Sequence, residues 1–420
     1  MGNVQAPRGT HDIFGDEHIR FEEIYSAFAE ISQNFGFKGI ETPIFESIKV
    51  FDRTLGDSSD IVSKEMYVFE DRGGDQLCLR PEGTAGIARA FISNSWSRDL
   101  PLKLYYQGPM FRYERPQKGR YREFHQIGVE ALGVESAIFD AEVIGLGQSL
   151  IERLGLSDIC SLEINSLGDR SSRDSYRTAL VEYYNNHKDK LSEDSLTRLE
   201  KNPLRILDSK DKSDIEINKD APKLSDHLSE SSQEKLKQVK ALLDKAGIKY
   251  SVNEKLVRGL DYYNDVVFEF VTNELGSQNA VIAGGRYDSL METMGGPATP
   301  GVGFAAGVER LSLLMDQIGV QCTSNRAKVV FVPMGAEAEL SAYELSQTLR
   351  KDNRLSSHFI YSGNFSKRMK KADKLNADYV VIIGDDEVAN STATLKILKS
   401  GEQETVSQNK LVARLIELLG

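Results

Sequence analysis

Residues 105–133 read YYQGPMFRYERPQKGRYREFHQIGVEALG, two strand-like runs on either side of a loop dense in cations. Arg112, Arg115, Lys118, Arg120 and Arg122 are opposed only by Glu114 and Glu123, a net charge of +3 over residues 112–123. Taken alone, such a loop also looks like the solvated tip of a hairpin. The run that follows says more. Side chains two apart along a strand share a face, so Ile127, Val129 and Ala131 make one apolar face, and Gln126, Gly128 and Glu130 make the other. An acid on such a strand needs a buried partner, and a ligand with a cationic or hydrogen-donating group would supply one.

Four further stretches carry residues of the same chemical kind. LCLRPEGTAGIARAF, residues 77–91, passes from a strand into a helix with Glu82 and Thr84 at the turn. An acid there also serves as a helix cap, because negative charge in a first turn is favourable by about 0.3–1 kcal/mol. LVRGLDYYNDVVFEF, residues 256–270, sets Arg258, Asp261, Tyr262 and Tyr263 ahead of an apolar strand, a pattern shared with surface turns. VIAGGRYDSL, residues 281–290, ends a strand in Gly284 and Gly285, where a ligand approaches closely or the chain simply turns. GVGFAAGVERLSLLM, residues 301–315, has GxGxxxG spacing, which departs from the dinucleotide fingerprint, and no GxxxxGKS/T occurs in the chain. If ATP is used, it is used without a P-loop, and Arg310 on the following helix stands opposite a possible planar ligand.

Outward from these motifs the chain divides by pattern. Phe21, Ile24, Tyr25, Phe28, Ile31 and Phe35 recur at helical steps and stop at Gly36. Residues 38–45 read as a strand that meets Pro43, an edge or interface feature. Strands are predicted over 66–69, 76–79, 102–107 and 124–132, then over 250–257, 266–271 and 280–283, with a helix over 307–317. Hairpin-like spacing through Gly73 and Gly74, without regular βαβ alternation, predicts a mostly antiparallel sheet in an α+β fold. Residues 169–245 are rich in charge and serine, with helical spacing and no strand signal, and read as a helical insertion. After Thr323 strand and helix alternate as in a small α/β domain. There Lys367, Lys370, Lys371 and Lys374 share one helix face, for which a solvated surface is the ordinary explanation.

The formal charge of −11 over 420 residues argues against a polyanionic partner at first sight. Residues 327–420, however, hold 13 Lys and Arg against 12 Asp and Glu, so the acidity belongs to the front part. No apolar run nears the roughly 20 residues of a membrane span. The N-terminal MGNVQAPRGT lacks a signal-peptide core, so a cytoplasmic location is expected. Cys78, Cys160 and Cys322 lie far apart without CxxC or Cys/His spacing, so neither a disulfide framework nor a protein-held metal is expected.

Together these motifs resemble those of the class II aminoacyl-tRNA synthetases, and among them the bacterial-type histidyl-tRNA synthetase family. FRYERPQKGRYREFHQ resembles the second class-defining motif with its loop and GVGFAAGVERL the third. The helix leading to Pro43 resembles the first, which in the family forms a dimer interface. LVRGLDYYN and AGGRYD resemble the two signatures peculiar to the histidine enzymes. The resemblance implies a catalytic domain over 1–168 and 246–323 on an antiparallel sheet with flanking helices, the insertion at 169–245, and an α/β anticodon-binding domain over 327–420. It implies ATP as substrate with Mg2+, L-histidine and histidine tRNA as partners, and a homodimer.

By matched position, the resemblance gives Arg112 the α-phosphate and Glu114 the adenine amino group, while Arg310 stacks on the ring and meets the γ-phosphate. Arg258 reaches both the histidine carboxylate and the α-phosphate, and is the principal catalytic residue beside Arg112. Glu82, Thr84 and Gln126 receive the histidine amino group. Glu130 and Tyr263, with Tyr262 beside them, read an imidazole that offers one donor and one acceptor nitrogen. Arg115 and Gln117 meet the end of the tRNA acceptor and the extra 5′ guanosine of histidine tRNA, and Lys118, Arg120 and Arg122 meet its phosphates. The lysine face at 367–374 becomes a phosphate contact at the anticodon end. Two alternatives stand beside this reading. One is a synthetase-like regulatory subunit of histidine biosynthesis without charging activity, and the other is a non-catalytic tRNA-binding module.

Overall fold

Phe21, Ile24, Phe28 and Ile31 form the buried side of the first helix, α1 (Asp16–Asn34). The chain continues through β1 (Lys38–Gly39), β2 (Phe45–Ser47), α2 (Lys49–Leu55), β3 (Val68–Glu70), β4 (Gln76–Leu79) and α3 (Thr84–Ser93). Next come β5 (Leu102–Phe111), β6 (Glu123–Leu132), α4 (Ala137–Arg153) and β7 (Cys160–Ser166). Among the described residues only helices follow until residue 250, chiefly α5 (Arg170–Asn185), α6 (Glu193–Lys201), α7 (Lys212–Ile217) and α8 (Glu230–Ala246). The unit closes with β8 (Ser251–Val252), β9 (Asn264–Thr272), β10 (Ala280–Arg286), α9 (Leu290–Thr293), β11 (Gly301–Gly307) and α10 (Val308–Gln317). This computed structural model describes residues 4–55, 64–117, 119–207, 209–257, 262–276, 279–320 and 326–419. It falls into two units, Met1–Cys322 and Thr323–Gly420.

Eight strands of the first unit form one sheet in the order β1-β5-β6-β11-β10-β9-β7-β8. The pairs at the two edges, β1 with β5 and β7 with β8, are parallel, and the pairs between them are antiparallel. Alternation along β6 separates two environments, as period 2 requires. Ile127 and Val129 join Phe28 of α1, Ile144 of α4, Leu243 of α8 and Leu311 of α10 in the main core. Glu130 faces the other side, where Tyr262, Tyr263 and Tyr287 pack with α2 and α3. The sheet is thus a wall with a helical core behind it and a polar, aromatic chamber in front.

Three expectations change on the structure. The predicted strand over 38–45 is two short strands in different sheets, because β1 lies beside β5 whereas β2 pairs with β4. Pro43 stands at the break, where a residue without an N–H cannot continue a ladder. The strand over 250–257 shrinks to β8, since the Asn253 side chain accepts from the Lys255 amide at 3.0 Å and turns the chain out of the sheet. Strand β10 runs on to Arg286 through Gly284 and Gly285, which pair with both neighbours rather than ending it.

The second unit comprises β12 (Ala327–Pro333), α11 (Ala336–Leu349), β13 (Leu355–Phe359), α12 (Phe365–Lys374) and β14 (Tyr379–Ile383). After these come α13 (Asp385–Ala389), β15 (Thr392–Ile397), β16 (Gln403–Ser407) and α14 (Leu411–Leu419). Its sheet order is β13-β12-β14-β15-β16, parallel among the first three strands and antiparallel thereafter.

Candidate active site

Glu82, Thr84, Arg112, Glu114, Arg120, Gln126, Tyr262, Tyr263 and Arg310 all line a single cavity of about 580 Å3 in front of the sheet. They come from α3 and the turn before it, the β5–β6 hairpin, the head of β9 and α10. Glu130 lies just inside this wall and is 1% exposed.

The closed end of the cavity is acidic and aromatic. Glu82 caps α3, its carboxylate accepting from the amides of Thr84 at 2.7 Å and Ala85 at 2.8 Å. Capping, the plainer of the two roles open to it, is therefore one it performs. The Thr84 hydroxyl donates to Glu130 Oε1 at 2.7 Å, and the Tyr287 hydroxyl donates to Glu130 Oε2. Part of the partnership that alternation left to a ligand is thus supplied by the protein itself. Burial pushes the Glu130 carboxyl up to about 8, against the pull of the Tyr287 and Thr84 bonds and with the help of nearby Glu82. Glu82 is also raised, by burial above all. Two buried acids that hold their protons more tightly than usual are both relieved by one cation placed between them. The Gln126 Oε1 is buried without a hydrogen-bond partner among the described residues, an acceptor that a donor group in the cavity would satisfy.

Glycine makes room for this arrangement. Gly303 on β11 stands opposite both Glu130 and Gly285, and a Cβ there would collide with the Glu130 carboxylate and the Val129 carbonyl. Gly128, opposite Tyr106, similarly leaves space for the Tyr106 ring.

The open part of the cavity is cationic. Arg112 donates Nε to the Pro81 carbonyl at 2.8 Å and lies over the Phe124 ring, 5.1 Å from its centroid. Arg120 pairs with Glu114 at 2.6 Å, and Arg112 stands 3.8 Å from the same carboxylate. Arg310 donates to the Ala280 carbonyl at 2.6 Å. Its basicity is lowered by burial first and then by Arg120. Cations that raise one another's free energy in a half-buried space favour an anion among them. Among the described residues, no cluster of three or more His, Cys, Asp or Glu is placed to hold a metal ion.

The remaining candidates lie elsewhere. Arg115 and Gln117 are exposed and are not part of the cavity wall. Arg122 sits over the Tyr113 ring at 3.8 Å and donates to the Glu114 carbonyl at 3.3 Å, so it braces the hairpin. Lys367, Lys370, Lys371 and Lys374 are exposed on α12 of the second unit, where Lys371 bonds Ser362. Lys118 and Arg258 lie outside the described residues. The structure adds groups that the motifs did not single out. Tyr287 and Tyr106 flank the acids, and Glu309 accepts from the His125 amide and ring at 2.8 and 2.9 Å. Strand pairing was the available signal for Tyr106, a large residue opposite a glycine, whereas nothing local marks Glu309.

Comparison with known proteins places the chain in a family. A family model described as histidyl-tRNA synthetase matches residues 9–311, and one described as an anticodon binding domain matches residues 328–418. The chain is 51% identical to the histidine--tRNA ligase of Rhodospirillum rubrum over 408 residues, covering 97% of each chain. It is 46% identical to that of Gluconacetobacter diazotrophicus over 420 residues, covering all of both. Among solved structures it resembles apo histidyl-tRNA synthetase from S. aureus with a TM-score of 0.82 and 35% identity, covering 98% of this chain and 99% of that one. Motifs, cavity and full-length likeness converge, and the chain belongs to the histidyl-tRNA synthetase family.

Proposed function

We propose that this cavity joins histidine to ATP and then passes the histidyl group to tRNA. The observation that supports it best is the pairing of two chemistries in one space, a closed acidic and aromatic end beside an open end lined with arginines. The ammonium of histidine belongs between Glu82 and Gln126, with Thr84 at its edge. Its imidazole belongs against Glu130 as acceptor and Tyr263 as donor, beside Tyr262. A site built on such buried pairs rejects analogues that lack either nitrogen by roughly 10⁴–10⁵.

The first step brings two anions together. The histidine carboxylate attacks the α-phosphorus, the bond to the bridging oxygen breaks, and diphosphate leaves. Arg112 stabilises charge at the α-phosphate, Glu114 receives the adenine amino group once Arg120 yields it, and Arg310 lies along the ring toward the γ-phosphate. By its matched position Arg258 spans carboxylate and α-phosphate. Magnesium, when bound with the nucleotide, would be held mainly by the substrate phosphates with a wall carboxylate such as Glu269, and would supply neutralisation of phosphate charge. In the second step the 3′-hydroxyl of the terminal ribose attacks the mixed anhydride and AMP departs. Arg115 and Gln117 on the exposed hairpin meet the acceptor end and its extra 5′ guanosine, Lys118, Arg120 and Arg122 meet its phosphates, and the α12 lysines meet those near the anticodon. In this reading the protein works as a homodimer in the cytoplasm. No helix among the described residues is long and apolar enough to cross a membrane.

The deciding measurement is histidine-dependent exchange of pyrophosphate into ATP. Wild type should exchange, and Arg112→Ala should lose about 10²–10³ in rate. No exchange by a folded wild type would move the chain to the regulatory-subunit reading.

A further inference from the structure

Both roots of the helical insertion close on the segment that carries Tyr263. From α5, Arg173 donates Nη1 to the Tyr263 carbonyl at 3.1 Å. From α8, Ser232 Oγ and Lys235 Nζ donate to the Asp265 carboxylate at 2.6 and 2.7 Å. The Asp265 amide donates to the Gly168 carbonyl at 2.9 Å, and its carbonyl accepts from the Leu167 amide at 2.7 Å. Asp265 is 4% exposed and has φ of 47°, a left-handed conformation that an L residue adopts only when its surroundings hold it there. The two roots are also tied to each other. Asp169 caps α5 and accepts from Ser229 Oγ at 2.8 Å, and the Asp169 amide donates to Ser232 Oγ at 3.0 Å.

Arg173 is not on the wall of the substrate cavity. It lines a second cavity of about 720 Å3 with Arg170, Arg177 and Leu224 of the insertion, and Tyr263 is on the wall of both. The tyrosine is thus a partition, reading the substrate on one side and held by the insertion on the other. Its hydroxyl must meet a ring nitrogen to within about 0.5 Å to discriminate. A carbonyl gripped by a guanidinium is a firmer anchor than one bonded to a neutral donor.

We propose that Arg173 is a positioning residue for histidine recognition, acting through the Tyr263 backbone, so that placement of the insertion and affinity for histidine are coupled. The coupling is reciprocal, as linkage requires. The proposal rests on the reading of Tyr263 as a reader of imidazole.

The test uses the full chain in pyrophosphate exchange, which contains no tRNA and is blind to any contact of Arg173 with nucleic acid. Arg173→Met should raise the KM for histidine about tenfold, the scale of one hydrogen bond to a charged group, and leave the KM for ATP within about twofold. Arg173→Lys should recover most of the loss, because a carbonyl needs only one cationic donor. With Tyr263→Phe in the background, Arg173→Met should add little. Equal rises in both KM values, no recovery by lysine, or full additivity with Tyr263→Phe would each overturn the proposal. An unchanged histidine KM in Arg173→Met, with a raised one in Tyr263→Phe, would sink it while leaving the Tyr263 reading intact. Tyr263→Phe without effect on histidine would remove both.

Discussion

Glu130 shows how much one residue can carry. Its carboxyl is buried, accepts from Thr84 and Tyr287, and is pushed up to about 8 by burial. The unfolded chain has an ordinary glutamate near pH 4.3. Between about pH 4.5 and 8 the native state therefore holds a proton that the unfolded state has released, and stability falls as pH rises through that window. Replacement by the neutral isostere removes this dependence. Glu130→Gln should be more stable than wild type at pH 9, and the advantage should shrink toward pH 5, as read from thermal midpoints across the range. Parallel curves for the two proteins would mean that Glu130 titrates normally. The same variant should raise the KM for histidine without altering that for ATP. Alternation along β6 is visible in the chain and sets the acid on the face opposite Ile127 and Val129. Its partners lie 46 and 157 residues away, and no local pattern joins them to it.

At the scale of elements, helix α5 begins where a cap and a cross-link coincide. The Asp169 carboxylate accepts from the Ser172 amide and hydroxyl and from the Ser171 and Ser229 hydroxyls. Burial alone would raise its pKa, but these donors together hold it below the usual carboxylate range. The stabilisation is present above about pH 4, where an unfolded aspartate is ionised, and disappears as pH falls through the depressed native value. Asp169→Ala should cost about 1–2 kcal/mol, the range for a lost helix cap, with lowered hydrogen-exchange protection concentrated in α5 and the start of α8. Uniform loss of protection across the sheet would place the effect elsewhere. Serine and charge predicted helices between residues 169 and 245, and α5 to α8 lie there. They could not predict that Ser229 and Ser232 join two helix starts 60 residues apart in the chain.

In the proposed reading, the two units of the molecule divide reaction from grip. Each residue assigned to adenylate formation precedes residue 322, and the lysine face of α12 belongs to the second unit. A chain ended at residue 322 should keep measurable histidine-dependent exchange and charge tRNA poorly. Its binding to tRNA should show a flatter dependence on salt, by about 0.7–0.9 in slope for each phosphate contact removed. Charging equal to that of the full chain would leave the second unit without a part in tRNA use.

What the sequence determined by itself were features of short range. Helical periodicity gave α1, alternation gave the two faces of β6, a change of composition marked the helical stretch after residue 168, and five motifs in family order named the chemistry. These survive because each depends on neighbours within a few turns or pleats of the chain. Tertiary structure decided which groups meet. It split the strand at Pro43 between two sheets, carried β10 on through its glycines, drew Arg120 onto Glu114, and brought Thr84, Glu130 and Tyr287 to one point. It also set Arg173 behind Tyr263. The physical reason is that a buried polar group must find a partner wherever the packed chain offers one, and that partner is chosen by the closing of the sheet rather than by distance along the chain.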